Sequence, residues 1–314
     1  MMNLPSAITL CEVGLRDGLQ NEKTILPTEE KLTLLRGLID AGFKVIEVGS
    51  FMHPKAVPQM ADTDELYKAI GEVPGVELRA LIPNLRGVQR AADCGCKKVK
   101  LNISASKGHN LANLNKLPLE TMKGFGICAD TARSAGLEVS GSIACPFGSP
   151  WDPLIPVEDI KEIIDAYLDV GVKEISISDA PGMAMPDQVF RMMTELTACY
   201  PQCKFILHFH NTRGMGIANI MAGMEAGITW FDGSLAGTGG CPFIPGAAGN
   251  VSTEDIVHMA ICQNIETGID LHRLMDAGHR LEQLMGHPGD SYVLRAGANM
   301  DIRLNMPAGQ TINP

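Results

Sequence analysis

The chain has 314 residues, 45% of them hydrophobic and 5% aromatic, enough apolar material for one large core without disulfides or a structural metal. Its formal net charge is -10 and it has no long lysine or arginine blocks, which argues against nucleic-acid and polybasic membrane surfaces and favours a small-molecule partner. Nine cysteines at scattered spacings fit free thiols in a reducing compartment, and Glu12, Arg16, Asp17 and Glu22 interrupt any apolar run near the start, so a cytoplasmic protein is expected.

In chain order, a strand is predicted over residues 7–13 (AITLCEV) and a helix over about 28–41, ending in Ala41-Gly42. The run KVIEVGS follows that glycine directly. The same phrase returns with Cys94-Gly95 before CKKVKLNIS, Ala135-Gly136 before LEVSGSIAC, Val170-Gly171 before VKEISISD and Ala226-Gly227 before ITWFDGSLAG. Glycine just past a helix takes the left-handed turn that closes it, and the apolar run after it reads as a buried parallel strand. Two more strands are predicted at 76–82 and 203–210, and more helices near 59–71, 85–94, 119–135, 157–170, 186–199, 214–226 and 253–265.

Eight strands alternating with eight helices over roughly 250 residues predict an α/β fold, a closed (β/α)8 TIM barrel. An open doubly wound sheet would want a glycine-rich turn after the first strand, and no G-x-G-x-x-G occurs there. The whole chain reads as one catalytic domain, with the barrel over about 5–265 and a C-terminal helical extension over about 266–314. A helix is expected from Asp270 to Met285, and where the extension packs is left open. Cys94-x-Cys96 and Cys199-x-x-x-Cys203 lack the partners of a zinc site and read as structural.

In such a barrel the working residues stand at the carboxyl ends of strands. There the first strand has Arg16-Asp17-Gly18, the second Glu47 and Ser50, the sixth Asp179, and the seventh His208 and His210. The two histidines leave the same face of their strand, and only the eighth strand separates them from Asp17. Together the three form a mixed oxygen and nitrogen cluster suited to Mg²⁺ or Mn²⁺, although Asp17 alone reads equally as a capping or salt-bridged carboxylate. After the eighth strand, the loop 237–250 is too rich in glycine, proline and small residues to build a core and reads as a mobile lid. On it, Cys241 is either an inert thiol or a proton donor to a carbanion. Asn250 is either a helix cap, in competition with Ser252, or a fourth metal ligand.

These residues carry a resemblance. The segment Cys11 to Glu22 (CEVGLRDGLQNE), the segments 51–60 and 83–87, the H-F-H at 208–210, and Gly239-Gly240-Cys241-Pro242-Phe243 through Gly249-Asn250 to Asp255 resemble the hydroxymethylglutaryl-CoA lyases. The likeness covers nearly the whole chain. It implies that Asp17, His208, His210 and Asn250 hold a divalent cation, that Arg16 is the transition-state cation, and that Cys241 is the lid acid. It implies further that Glu47 and Asp179 are acids near the substrate hydroxyl, with His208 also catalytic, and that Gln20 and Glu254 support the site. Ser50, Asn84 and Arg213 are expected with Gln20 and Glu254 on the substrate side.

The implied activity is cleavage of 3-hydroxy-3-methylglutaryl-CoA to acetyl-CoA and acetoacetate, by an acyl-CoA-binding homodimer with no nucleic-acid or membrane partner. The alternatives are a lyase for a relative such as citramalyl-CoA and a non-catalytic metal- or CoA-binding barrel. The chain departs from the family at Ser140, Ser142, Ala180 and Asn211 to Arg213, where arginine, tyrosine, threonine and the H-D-T-Y-G motif are common. These positions are expected around the acyl pocket.

Overall fold

The computed structural model describes residues 3–240 and 249–301. Eight parallel strands close into a barrel in sequence order: β1 (Thr9–Glu12), β2 (Val45–Ser50), β3 (Glu77–Ile82), β4 (Lys98–Ser104), β5 (Glu138–Ala144), β6 (Glu174–Asp179), β7 (Lys204–Phe209) and β8 (Trp230–Gly233). Each of the five predicted glycine caps has a positive φ, +111° at Gly42, +86° at Gly95, +78° at Gly136, +73° at Gly171 and +87° at Gly227. A side chain there would be strained, so these glycines place helix stop and strand start within a few residues of each other.

The surrounding helices are α1 (Thr28–Asp40), α2 (Thr63–Ile70), α3 (Leu85–Asp93), α4 (Lys107–Leu114), α5 (Pro118–Lys123), α6 (Phe125–Ser134), α7 (Val157–Asp169), α8 (Pro186–Cys199), α9 (Gly216–Glu225) and α10 (Thr253–Cys262). The helix expected over 119–135 is in fact two, α5 and α6, and α4 precedes them. Ser106 caps α4 by accepting the His109 amide, left-handed Asn115 (φ +52°) closes it, and Pro118 starts α5. No helix among the described residues is long and apolar enough to cross a membrane.

The C-terminal extension, whose place the sequence left open, forms α11 (Leu271–Met285) and α12 (Tyr292–Ala296). Helix α11 lies along α1, where Arg280 reaches Glu30 at 2.5 Å and Arg273 donates to the Asp40 carbonyl at 3.0 Å. Asp255 on α10 caps α12 by accepting from the Ser291 hydroxyl and the Tyr292 and Val293 amides. Beyond α11, the Asp290 amide donates to the Ala236 carbonyl at 2.9 Å, which ties the extension to the loop after β8 on the active face.

The apolar core lies mainly between strands and helices, whereas the barrel interior is lined by charge. At the amino ends of the strands, fully buried Arg79 reaches Glu77 and stands 3.0 Å from Glu174. Lys98 joins the same two carboxylates at 3.1 and 2.8 Å, and Lys204 meets Glu174 at 3.0 Å while standing 3.0 Å from the centre of the Trp230 ring. This network plugs the bottom of the barrel. Its sequence trace is the alternation of charged residues in ELR and KVK, because every second strand residue faces inward.

Candidate metal centre and active site

At the carboxyl ends of the strands a cavity of about 350 Å³ opens. Arg16 and Asp17 reach it from a helical turn, Gly14–Gly18, which follows β1 directly. Val13 starts the turn by accepting the Asp17 amide at 2.7 Å. Gly18 is needed because a Cβ there would fall 2.2 Å from the Thr238 hydroxyl, so the loop after β8 packs onto this turn.

One ligand atom each from Asp17, His208 and His210 lies within 4.8 Å of the others, and all three residues are buried. The Asp17 Oδ2 is 3.6 Å from His208 Nε2 and 3.5 Å from His210 Nε2, and it accepts the Asn250 amide at 2.8 Å. Asn250 faces His210 across an isolated bridge. Among the described residues its buried Oδ1 has no hydrogen-bond partner, an arrangement that normally costs about 1–3 kcal/mol unless a ligand meets it. The Ser252 hydroxyl, not Asn250, caps α10 by accepting the Asp255 amide. An orphaned carbonyl beside a carboxylate and two imidazoles fits a divalent cation with nitrogen and oxygen ligands.

A ring of charge surrounds this cluster. Arg16 bonds Asp17 on one side and Glu47 on the other, and Lys100 on β4 bonds the second oxygen of Glu47. Lys100 stands 4.0 Å from Asp232 on β8, whose Oδ2 lies 3.1 Å from His208 Nδ1. Burial alone would raise the Asp17 carboxyl, but Arg16 and the two histidines hold it well below the usual carboxylate range. Burial would likewise raise Glu47 and Asp232, yet Arg16 and Lys100 lower Glu47, and Lys100 with His208 brings Asp232 to about 2. Carboxylates and cations in the ring therefore stay charged. The carboxylate behind a ligating histidine fixes its tautomer and raises its basicity.

The remaining expected residues fall into two groups. Gln20 lines the cavity and donates to Asp17 at 3.1 Å, and Ser142 and Ala180 line it too. The others turn elsewhere. Asp179 is buried at the end of β6, but its side chain points outward and its two oxygens accept the Met183 and Ala184 amides at 2.9 Å. Burial raises it to about 6, and it holds the loop after β6 instead of facing the cavity.

Ser50 accepts the Met52 amide at 3.5 Å, and Asn84 caps α3 by accepting the Gly87 amide. Arg213 is exposed and donates to the Pro181 and Gly182 carbonyls, each at 3.0 Å, and Ser140 lies deeper on β5 with its hydroxyl on the Val99 carbonyl. None of Asp179, Ser50, Asn84, Arg213 or Ser140 lines the cavity. Cys241 lies outside the described residues, as does most of the loop expected to be a lid.

Glu254 also sits behind the site. Its carboxyl accepts the Ala236 amide at 2.9 Å and the Ser252 hydroxyl at 2.6 Å, and Glu12 next to it accepts the Gly14 and Leu235 amides and the Thr253 hydroxyl. The pair ties β1, the loop after β8 and α10 together. Burial, only partly opposed by these bonds, raises Glu254 to about 8 and Glu12 to about 7. A folded value above the ordinary 4.5 means that the folded chain binds the proton more tightly. The stability linked to it is present below about pH 4.5 and is lost as pH rises towards 8. Glu254→Gln should therefore gain melting temperature over the parent as pH goes from 5 to 8.5, by about a few degrees. A difference that stays flat with pH would show Glu254 already ionised in the fold.

Sequence reasoning missed Lys100, Asp232, Asn102, Ser176 and Ser178, all of which line the cavity. Two-residue alternation puts them on the same face of β4, β6 and β8 as Lys98, Glu174 and Trp230, and closure of the sheet makes that face the interior.

A closed parallel barrel with a buried Asp-His-His cluster at its carboxyl end defines a metal-dependent barrel enzyme. The chain belongs to the HMGL-like family, whose model matches residues 7–280. It is 38% identical over 287 residues to the hydroxymethylglutaryl-CoA lyase of Bacillus subtilis, covering 91% of this chain and 96% of that one. It is 37% identical to the 3-hydroxy-3-isohexenylglutaryl-CoA/hydroxymethylglutaryl-CoA lyase of Pseudomonas aeruginosa, over 94% of this chain and 98% of that one. Among solved structures, an HMG-CoA lyase from Acinetobacter baumannii in complex with coenzyme A and 3-methylmalate superposes with a TM-score of 0.91 at 38% identity, covering 96% of this chain and 98% of that one.

Proposed function

We propose that this chain is a carbon–carbon lyase that cleaves 3-hydroxy-3-methylglutaryl-CoA to acetyl-CoA and acetoacetate. The observation that carries the reading is the Asp17, His208 and His210 cluster lining one cavity with Arg16, and Asn250 bonded to Asp17 beside it. Near-full-length identity with lyases of this specificity supports it. Asp17, the two histidines and the Asn250 carbonyl would hold Mg²⁺ or Mn²⁺, which supplies the Lewis acid that makes the 3-hydroxyl acidic.

The chain's own residues do the rest. As the bond between C2 and C3 breaks, its electron pair moves into the thioester as an enolate, and Arg16 is the fixed cation facing that charge. Glu47 has both oxygens engaged, one by Arg16 and one by Lys100, so it serves to aim the guanidinium. Gln20 holds the Asp17 oxygen that does not face the histidines. The 3-hydroxyl gives up its proton to water as its C–O bond becomes the ketone, and we assign to Cys241 the proton that turns the enolate into acetyl-CoA, the thiolate then taking a proton back from water.

A coupled assay on hydroxymethylglutaryl-CoA and citramalyl-CoA tests the reading directly. Release of acetoacetate from the first, at a kcat/KM above that for the second, is the expected result, and inertness towards both would overturn it. Chelation should abolish turnover, and Mg²⁺ or Mn²⁺ should restore it. Asp17→Asn should no longer bind Mn²⁺ in a direct titration, and full activity of metal-free protein would refute the metal assignment. Cys241→Ser should keep Mn²⁺ and ester binding while kcat falls roughly a hundred- to ten-thousandfold, the range for loss of a general acid. Near-normal kcat would make the thiol structural.

A further inference from the structure

From a row of unpaired polar side chains on β4, β5 and β6, we propose that the acyl cavity has a subsite for a neutral hydrogen-bonding group on the C3 branch of the substrate, such as a hydroxymethyl. This rests on the lyase reading and narrows its substrate class. Asn102 pairs in register with Ser142, and Ser142 with Ser176, while Ser178 pairs with His208 of the metal cluster. All of them line the cavity.

Ser142 and Ser178 are only 8% and 9% exposed, yet neither hydroxyl has a hydrogen-bond partner among the described residues, nor does the Asn102 amide. Behind them, Asp232 Oδ1 is buried and has no hydrogen-bond partner among the described residues. Walls that receive a plain methyl group are apolar, because a methyl that displaces water from a polar group gives it no partner in return. Two hydroxyls and an amide on three adjacent strands, facing the cavity beside the metal cluster, suit a ligand that can both donate and accept.

Charge decides which polar group fits. Arg16 and Lys100 face Asp17, Glu47 and Asp232, two cations against three carboxylates. One divalent ion turns that deficit into a single positive charge, which the one carboxylate of a glutaryl ester cancels. A second carboxylate on the branch would be buried uncompensated, whereas a hydroxyl adds no charge. The charge of Lys100 is already balanced by two carboxylates, Glu47 at 2.5 Å and Asp232 at 4.0 Å, before another anion arrives.

The test compares 3-hydroxy-3-(hydroxymethyl)glutaryl-CoA with its 3-methyl and 3-carboxymethyl counterparts on the metal-loaded enzyme. We expect kcat/KM for the hydroxymethyl ester to exceed that for the methyl ester by about tenfold or more, the worth of one well-made hydrogen bond, and the carboxymethyl ester to be the poorest. Product inhibition is the second readout, and 4-hydroxyacetoacetate should inhibit more tightly than acetoacetate. Asn102→Leu and the Ser142→Ala, Ser178→Ala double variant should shrink or invert the hydroxymethyl-to-methyl ratio. If the methyl ester is cleaved and preferred, the subsite proposal falls and the lyase reading stands. If none of the three esters is cleaved, both fall.

Discussion

Arg16→Met is expected to lower kcat by roughly a hundred- to a thousandfold, the usual cost of removing one preorganised donor from a developing oxyanion. The guanidinium is held from both sides, by Asp17 within the same turn and by Glu47 from β2, and its side chain is almost fully buried. Lys100 holds Glu47 in turn, so the donor is fixed before substrate arrives. Burial would lower the Arg16 value, but the adjacent carboxylates raise it, so the cation persists at any working pH. Lysine at this position keeps the charge but loses the fork that spans Asp17 and Glu47, so Arg16→Lys should recover only part of the loss. The measurement is steady-state kcat and KM on metal-loaded protein. A rise in KM alone would make Arg16 a substrate clamp and remove it from the chemical step.

Arg79→Met should be the most destabilising single change in the barrel interior, at about 3–5 kcal/mol, because it strips a buried cation from two carboxylates. Arg79 is fully buried, bonds Glu77 and stands 3.0 Å from Glu174 in an ion contact without hydrogen-bond alignment. At roughly 2–4 °C per kcal/mol for a chain of this size, the melting temperature should drop by about 10 °C. Equilibrium denaturation reads this directly. A loss below about 1 kcal/mol would mean that Lys98 and Lys204, already on Glu174 at 2.8 and 3.0 Å, take over the whole charge.

The barrel was legible because each βα junction repeats one local device, a positive-φ glycine between an amphipathic helix and an apolar strand. Local conformational preference and hydrophobic period are properties of adjacent residues. The metal cluster was legible for a related reason: two-residue spacing puts His208 and His210 on one face, and closure in sequence order brings Asp17 within 3.6 Å of both.

Side-chain direction at the strand ends was not legible. Asp179 and Ser178 are neighbours on β6, but one turns to the amides of a loop and the other to the cavity, and only the register of the closed sheet says which. Arg213 and Asn84 were drawn away by nearby carbonyls and a helix start, local partners that compete with any distant ligand. Lys100, Asp232 and Glu47 come from β4, β8 and β2, and their charges balance only where closure gathers those strands around one axis. The barrel, its strand order and the donor types of the metal cluster follow from neighbouring residues along the chain. Which charges face inward, and which of them neutralise one another, depends on closure, because burial and pairing belong to residues that meet only after the barrel closes.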